Sequence, residues 1–111
     1  MPEKQFLDFL DDSFDDRIRC IFETRRGEVV GIKVVQFETL LSGTWAPVVR
    51  YDTAHEFFHR DIFLRRGKKR IKQFVFHIHM SESLTYAIND IRKNWKKYKL
   101  AFLENDDEKA I

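Results

Sequence analysis

From Leu84 to Phe102 the large apolar side chains fall three and four residues apart: Leu84, Ile88, Ile91, Trp95, Tyr98 and Phe102. That spacing marks one face of a helix with 3.6 residues per turn, and it predicts a helix over residues 81–103 with Ser81 or Ser83 as its cap. Arg92, Lys93, Lys96, Lys97 and Lys99 take the flanks and the outer side. Burying the six apolar side chains is worth about 9–18 kcal/mol before entropy is subtracted, at about 1.5–3 kcal/mol each. The rest of the chain must therefore supply an apolar surface to receive this stripe.

A sheet is the surface the sequence offers. From Arg17 the period is two: Ile18, Cys20 and Phe22 share one strand face, while Arg17, Arg19, Glu23 and Arg25 share the other. Arg26-Gly27 reads as a hairpin turn. Glu28 to Leu41 is a long strand rich in Val and Ile, with a bulge expected at Gly31. Ser42-Gly43-Thr44 makes the next turn, and Trp45 to Asp52 a third strand in which Pro47 points to an edge or early position. Phe57 to Arg65 and Ile71 to His79 form a last hairpin around residues 66–70. With an odd-numbered loop, Phe58, Ile62, Leu64, Phe74, Phe76 and Ile78 face the core, and His59, Asp61, Phe63, Gln73, Val75, His77 and His79 face away.

The expected fold is thus α+β, a single domain over residues 1–111. It comprises a five-stranded antiparallel β-meander over 17–79 with a long C-terminal helix packed on one face. Residues 1–16 read as an acidic arm or short helix, because Phe6, Leu7, Phe9, Leu10 and Phe14 recur at three- and four-residue spacings. Residues 104–111 read as an acidic tail. Eleven phenylalanines and an apolar share of 43% exclude a largely disordered chain.

Cys20 is the one cysteine, so no internal disulfide forms, and its apolar neighbours predict a buried, inert thiol. No apolar run approaches the length of a membrane span, and the first residues lack a signal-peptide pattern, so a cytoplasmic address and no membrane partner are expected. The net charge of +2 hides a partition: residues 17–103 carry eighteen bases and eight acids, while both ends are acidic. A basic body of this kind favours a polyanionic partner, with RNA foremost, and the acidic ends either fold back on it or aid solubility.

Three groups of residues carry candidate chemistry. Arg50 and Asp52 share a strand face, with His55 and His59 close behind. These types meet the needs of a metal-independent ribonuclease: His55 and His59 exchange protons, Asp52 orients a histidine, and Arg50 and Arg60 hold phosphate. The same residues also suit an Arg–Asp pair closing a hairpin beside exposed histidines. In the odd-numbered register His59, His77 and His79 approach a metal ligand set with Asp61, but His-x-His is ordinary strand spacing, and no metal or other cofactor is expected. Arg65, Arg66, Lys68, Lys69, Arg70 and Lys72 form a basic hairpin tip suited to phosphate contacts or to protecting a sheet edge. No phosphate loop, dinucleotide fingerprint, nucleophile elbow or Cys-x-x-Cys pair is present.

The run Arg50-Tyr51-Asp52-Thr53-Ala54-His55 resembles the strand end of TumE-type proteins, the small toxin components of prokaryotic toxin–antitoxin modules. Those families carry Arg-Tyr-Asp-Asn-Ala, then histidines, a hairpin and a C-terminal helix. Here Thr53 replaces the usual Asn and His59 stands alone where a denser cluster is common. The resemblance implies an RNA-directed, toxin-like ribonuclease with an antitoxin partner. The alternative from the residues themselves is a noncatalytic RNA-binding or protein-interaction module.

Overall fold

In the computed structural model of the chain the described residues are 2–53, 58–65, 69–74 and 79–104, with 69–74 described as backbone. Six strands, β1 (Glu3–Phe9), β2 (Asp16–Arg25), β3 (Glu28–Leu41), β4 (Thr44–Asp52), β5 (His59–Phe63) and β6 (Lys69–Phe74), precede one helix, α1 (Met80–Glu104). The strands pair in sequence order, every pair antiparallel, so the expected α+β meander beneath a C-terminal helix is the observed fold.

The N-terminal segment departs from expectation: residues 3–9 form a strand, not a helix or arm, paired with β2 from Glu3↔Glu23 to Phe9↔Arg17. Edge pairing decides this, because β2 would otherwise leave a row of backbone donors and acceptors unpaired. The aspartates that follow favour a turn. The Asp11 carboxylate accepts from the Ser13 amide at 3.0 Å and its hydroxyl at 2.6 Å, and Phe14 takes a left-handed φ of 61°.

Both expected tight turns have the backbone their glycines permit. Arg26 and Gly27 lie at φ 53° and 82°, and Ser42 and Gly43 at 50° and 79°, the pair of positive values that two-residue hairpin turns require. A Cβ on Gly43 would meet nothing within 4 Å, so only backbone strain opposes a side chain there. Gly43→Ala is expected to cost about 1–2 kcal/mol, seen as a lower urea midpoint at unchanged slope.

Register shifts place Lys33 and Val30 as extra residues on either side of Gly31. A third bulge, at Val48, adjoins Pro47. Pro47 also lies beyond the stretch of β4 that pairs with β5, Val49–Asp52, where its missing amide costs no ladder bond on that side.

α1 crosses β3 and β4, with Leu84, Ala87, Ile91, Trp95 and Phe102 buried against Ile18, Cys20, Val35, Phe37, Val49 and Tyr51. Phe37 meets the Trp95 ring edge-on at 6.0 Å between centroids. The helix begins at Met80, so neither serine is its cap. Ser83 is buried in the first turns, its amide and hydroxyl donating to the His79 carbonyl at 3.0 and 3.2 Å. The acidic N-terminal segment does fold back on the basic helix: Arg92 bonds Asp8 at 2.7 Å, and Lys99 bonds Asp16 at 3.0 Å. Burial pushes the Cys20 thiol up to about 12, so it stays protonated and inert.

Among the described residues no helix is long and apolar enough to cross a membrane.

Candidate functional site

Cross-strand partners share a face, so the pairs Val35↔Tyr51 and Phe37↔Val49 belong to the helix side. The alternate pairs, Arg19↔Gln36, Gln36↔Arg50, Arg50↔Asp61 and Asp52↔His59, belong to the face opposite α1. That face carries a polar row across β2 to β5 rather than the exposed alternation usual for such a sheet.

Glu38 anchors the β2–β3 part of the row. Its carboxylate accepts from Arg17 Nε at 2.8 Å, Arg19 Nε at 3.0 Å and the Gln36 amide at 2.5 Å. Gln36 accepts in turn from Arg50 Nε at 2.7 Å, whose guanidinium lies 5.2 Å from the Phe63 ring. Burial opposes ionisation of Glu38, but the hydrogen bonds from Arg17, Arg19 and Gln36 outweigh it and hold the carboxyl below its usual range. Arg17 also stacks over Trp45 at 3.8 Å, and Phe9 packs beside Trp45 at 6.3 Å.

Where β4 meets β5, His59 stands between two acids. Its Nε2 lies 3.1 Å from Asp52 Oδ1 and 3.7 Å from Asp61 Oδ2, and the His59 and Asp61 side chains are only 5% and 1% exposed. Register does most of this work. Asp52 faces His59 across the ladder and Asp61 follows two residues on, so all three side chains leave the sheet on one side before any rotamer is chosen.

On the opposite side, a second cluster ties α1 to the sheet. Tyr51 and Tyr98 both donate to Asp90 Oδ2 at 2.6 Å, Asn94 donates to Oδ1 at 2.8 Å, and Arg60 Nη1 donates to the Tyr98 hydroxyl at 2.8 Å. Burial, reinforced by the Asp90 carboxylate, raises both phenols well above their ordinary range, so they remain donors. A cleft of about 610 Å³ runs along this flank of α1 past Glu82, Tyr86, Asn89, Asp90 and Lys93, away from the His59 cluster.

Several expected site residues therefore come together and others do not. Arg50, Asp52 and His59 lie on one face, with Asp52 touching His59. His55 lies outside the described residues, as do Arg66, Lys68 and His77. Arg65 is exposed just after β5, while Lys69 and Arg70 lie on the backbone of β6. Arg60 is not on the outer surface expected of a phosphate-binding residue: it is half-buried beneath α1. Its even-numbered place beside Phe58 and Ile62 already put it on that side.

The register on which the candidate histidine trio rested is not the one observed, and His77 itself lies outside the described residues. β5 and β6 pair as His59↔Phe74, Arg60↔Gln73 and Asp61↔Lys72, the opposite parity to the odd-numbered loop, and a shift between Ile62 and Phe63 accompanies it. His79 is an exposed residue at the start of α1, not a strand residue. Asp90 was missed altogether, since an acid in the middle of a mainly basic helix carries no signal that the Tyr51 phenol of β4 and the Tyr98 phenol of α1 itself converge on it. Glu38 was missed too, although the alternation of Arg17 and Arg19 marked the strand face that it joins.

Neither a curated protein nor a solved structure matches the chain significantly. The sequence profile of one family matches residues 1–108, nearly the whole length, and its description assigns no activity. The chain accordingly belongs to the family described as Domain of unknown function DUF7718.

Proposed function

We propose that this protein is a nucleic-acid-directed module that holds single-stranded RNA by its phosphates on the face opposite α1, with a cytoplasmic address. The observation that carries the reading is the group of Arg17 and Arg19 on β2 and Arg50 on β4, joined through Gln36 and Glu38 of the intervening β3, beside the rings of Trp45 and Phe9. Guanidinium groups at strand spacing suit a phosphate backbone, and neighbouring rings suit stacked bases. Glu38 and Gln36 hold these arginines in place, which lowers the entropy lost on binding at the cost of part of their charge.

Fluorescence anisotropy with labelled single-stranded RNA over a salt series tests this. Each phosphate contact contributes about 0.7 to the slope of log affinity against log salt, so Arg19→Gln with Arg50→Gln is expected to flatten it by about 1.4. Absence of binding at low salt, or an unchanged slope in that variant, overturns the reading. Both substitutions leave Arg17 on Glu38, so loss of fold is not the expected outcome.

A second reading, a toxin-like metal-independent ribonuclease with an antitoxin partner, is supported by the Asp52–His59 contact and by the resemblance at residues 50–55. Burial of His59 weighs against it, because a group that exchanges protons with substrate must reach substrate. Incubation with total RNA beside His55→Ala and His59→Ala decides: intact RNA in every lane removes the catalytic reading and leaves the binding one standing.

A further inference from the structure

We propose that Asp52, His59 and Asp61 form a binding site for one divalent first-row transition-metal ion at the β4–β5 ladder. This goes beyond the RNA-binding reading and does not depend on it.

The first argument is geometric. One ligand atom from each residue lies within 4.8 Å of the other two, and the same His59 nitrogen, Nε2, faces both carboxylates at 3.1 and 3.7 Å. Around an ion with bonds of about 2.0–2.1 Å, neighbouring ligands at octahedral or tetrahedral angles stand about 2.9–3.4 Å apart. The first separation lies inside that range and the second a few tenths of an ångström above it, so a small side-chain adjustment would bring both carboxylates to an ion bound at Nε2.

Charge gives the second argument. Two carboxylates and one imidazole, almost fully withdrawn from water, offer a cation two oxygen donors and a ring nitrogen in one place with little competition from solvent. A dication at the centre serves all three at once. Framework supplies the third. Asp52↔His59 is a paired position of the ladder and Asp61 follows on the same strand, so the ligands sit on regular sheet rather than on a loop.

The donor set selects the class of ion. One imidazole excludes a preference for Mg²⁺ or Ca²⁺, and two carboxylates without a thiolate disfavour soft ions, which leaves borderline ions such as Zn²⁺, Mn²⁺ and Co²⁺. The remaining positions would be taken by water or by an oxygen of a ligand.

Tag-free protein, stripped with a chelator and free of RNA, is titrated with Zn²⁺ by calorimetry and with Co²⁺ by visible absorption. One ion per chain is expected, with a rise in melting temperature on Zn²⁺ addition. His59→Gln and Asp61→Asn are each expected to weaken binding at least about a hundredfold, the upper end of what changes to outer partners alone cause. No saturable binding would mean that the three side chains hold no ion, and binding unaffected by either substitution would place the ion elsewhere. Both results overturn the proposal. Should the variants not fold, Mn²⁺ broadening of the His59 ring resonances in the unsubstituted protein decides: broadening elsewhere but not there overturns it. RNA affinity is measured separately, so failure of the metal site and failure of the RNA reading stay distinguishable.

Discussion

Glu38→Ala is expected to lower the unfolding free energy by about 2–4 kcal/mol, less than a fully buried pair because Arg19 is partly in water. The substitution leaves Arg17, Arg19 and Gln36 without the carboxylate that all three address, on a strand pair whose Glu38 side chain is only 6% exposed. Chemical denaturation at neutral pH measures the loss.

The pH dependence follows from the direction of the Glu38 shift. Its carboxyl is held below the usual 4.5 in the folded state, so its contribution is fully present above that value and is lost as pH falls through the folded value. The gap between wild type and variant should therefore be constant near neutrality and close in acid. A loss below about 1 kcal/mol would mean that the contacts behave as ordinary surface pairs. A gap that persists unchanged in acid would mean that the variant acts through packing rather than charge.

Asp90→Ala has the larger expected effect, about 3–5 kcal/mol, because it strips a common acceptor from the buried Tyr51 phenol, the half-buried Tyr98 phenol and the neighbouring Arg60. These bonds fasten the middle of α1 to β4 and β5, so the variant should also release the helix preferentially, read as faster amide exchange in α1 than in β2 and β3. The alkaline limb checks the cause. Both phenols are raised above their usual 10.0, so their contribution is complete below that value and is lost as pH rises through the folded values. In the wild type, ultraviolet titration should find Tyr51 and Tyr98 un-ionised until the protein unfolds. If both titrate normally while the fold persists, the cluster is open to solvent and the predicted cost fails.

These two carboxylates also show which features sequence patterning reveals. Period-two alternation put Arg17 and Arg19 on one face and Ile18 and Cys20 on the other, and the apolar stripe set α1 within a residue of its observed ends. Arg50, Asp52 and His59 were legible as neighbours because a strand fixes the side of every second residue. Neither Glu38 nor Asp90 was legible as an anchor, since an acid looks alike in sequence whether solvent or three donors surround it.

Patterning misled at residues 3–9 for a related reason. β1 is an edge strand with apolar side chains on both faces, Phe6 opposite Cys20 and Leu7 opposite Arg19, so its spacing imitates a helix. Phe6, Leu7 and Phe9 remain 36%, 51% and 39% exposed, which explains why burial imposed no clean alternation there.

Local sequence alone determined the helix, the tight turns, the strands from β2 to β5, and the parity that gathers Arg50, Asp52 and His59. Those features depend on backbone geometry and on periods of 2 and 3.6 that a chain carries without reference to its remote parts. Tertiary structure decided the extra edge strand, the register of β6 against β5, and the burial of Arg60 under α1. Each of these depends on what a distant segment offers across the sheet, and a one-residue change of register reverses the outcome.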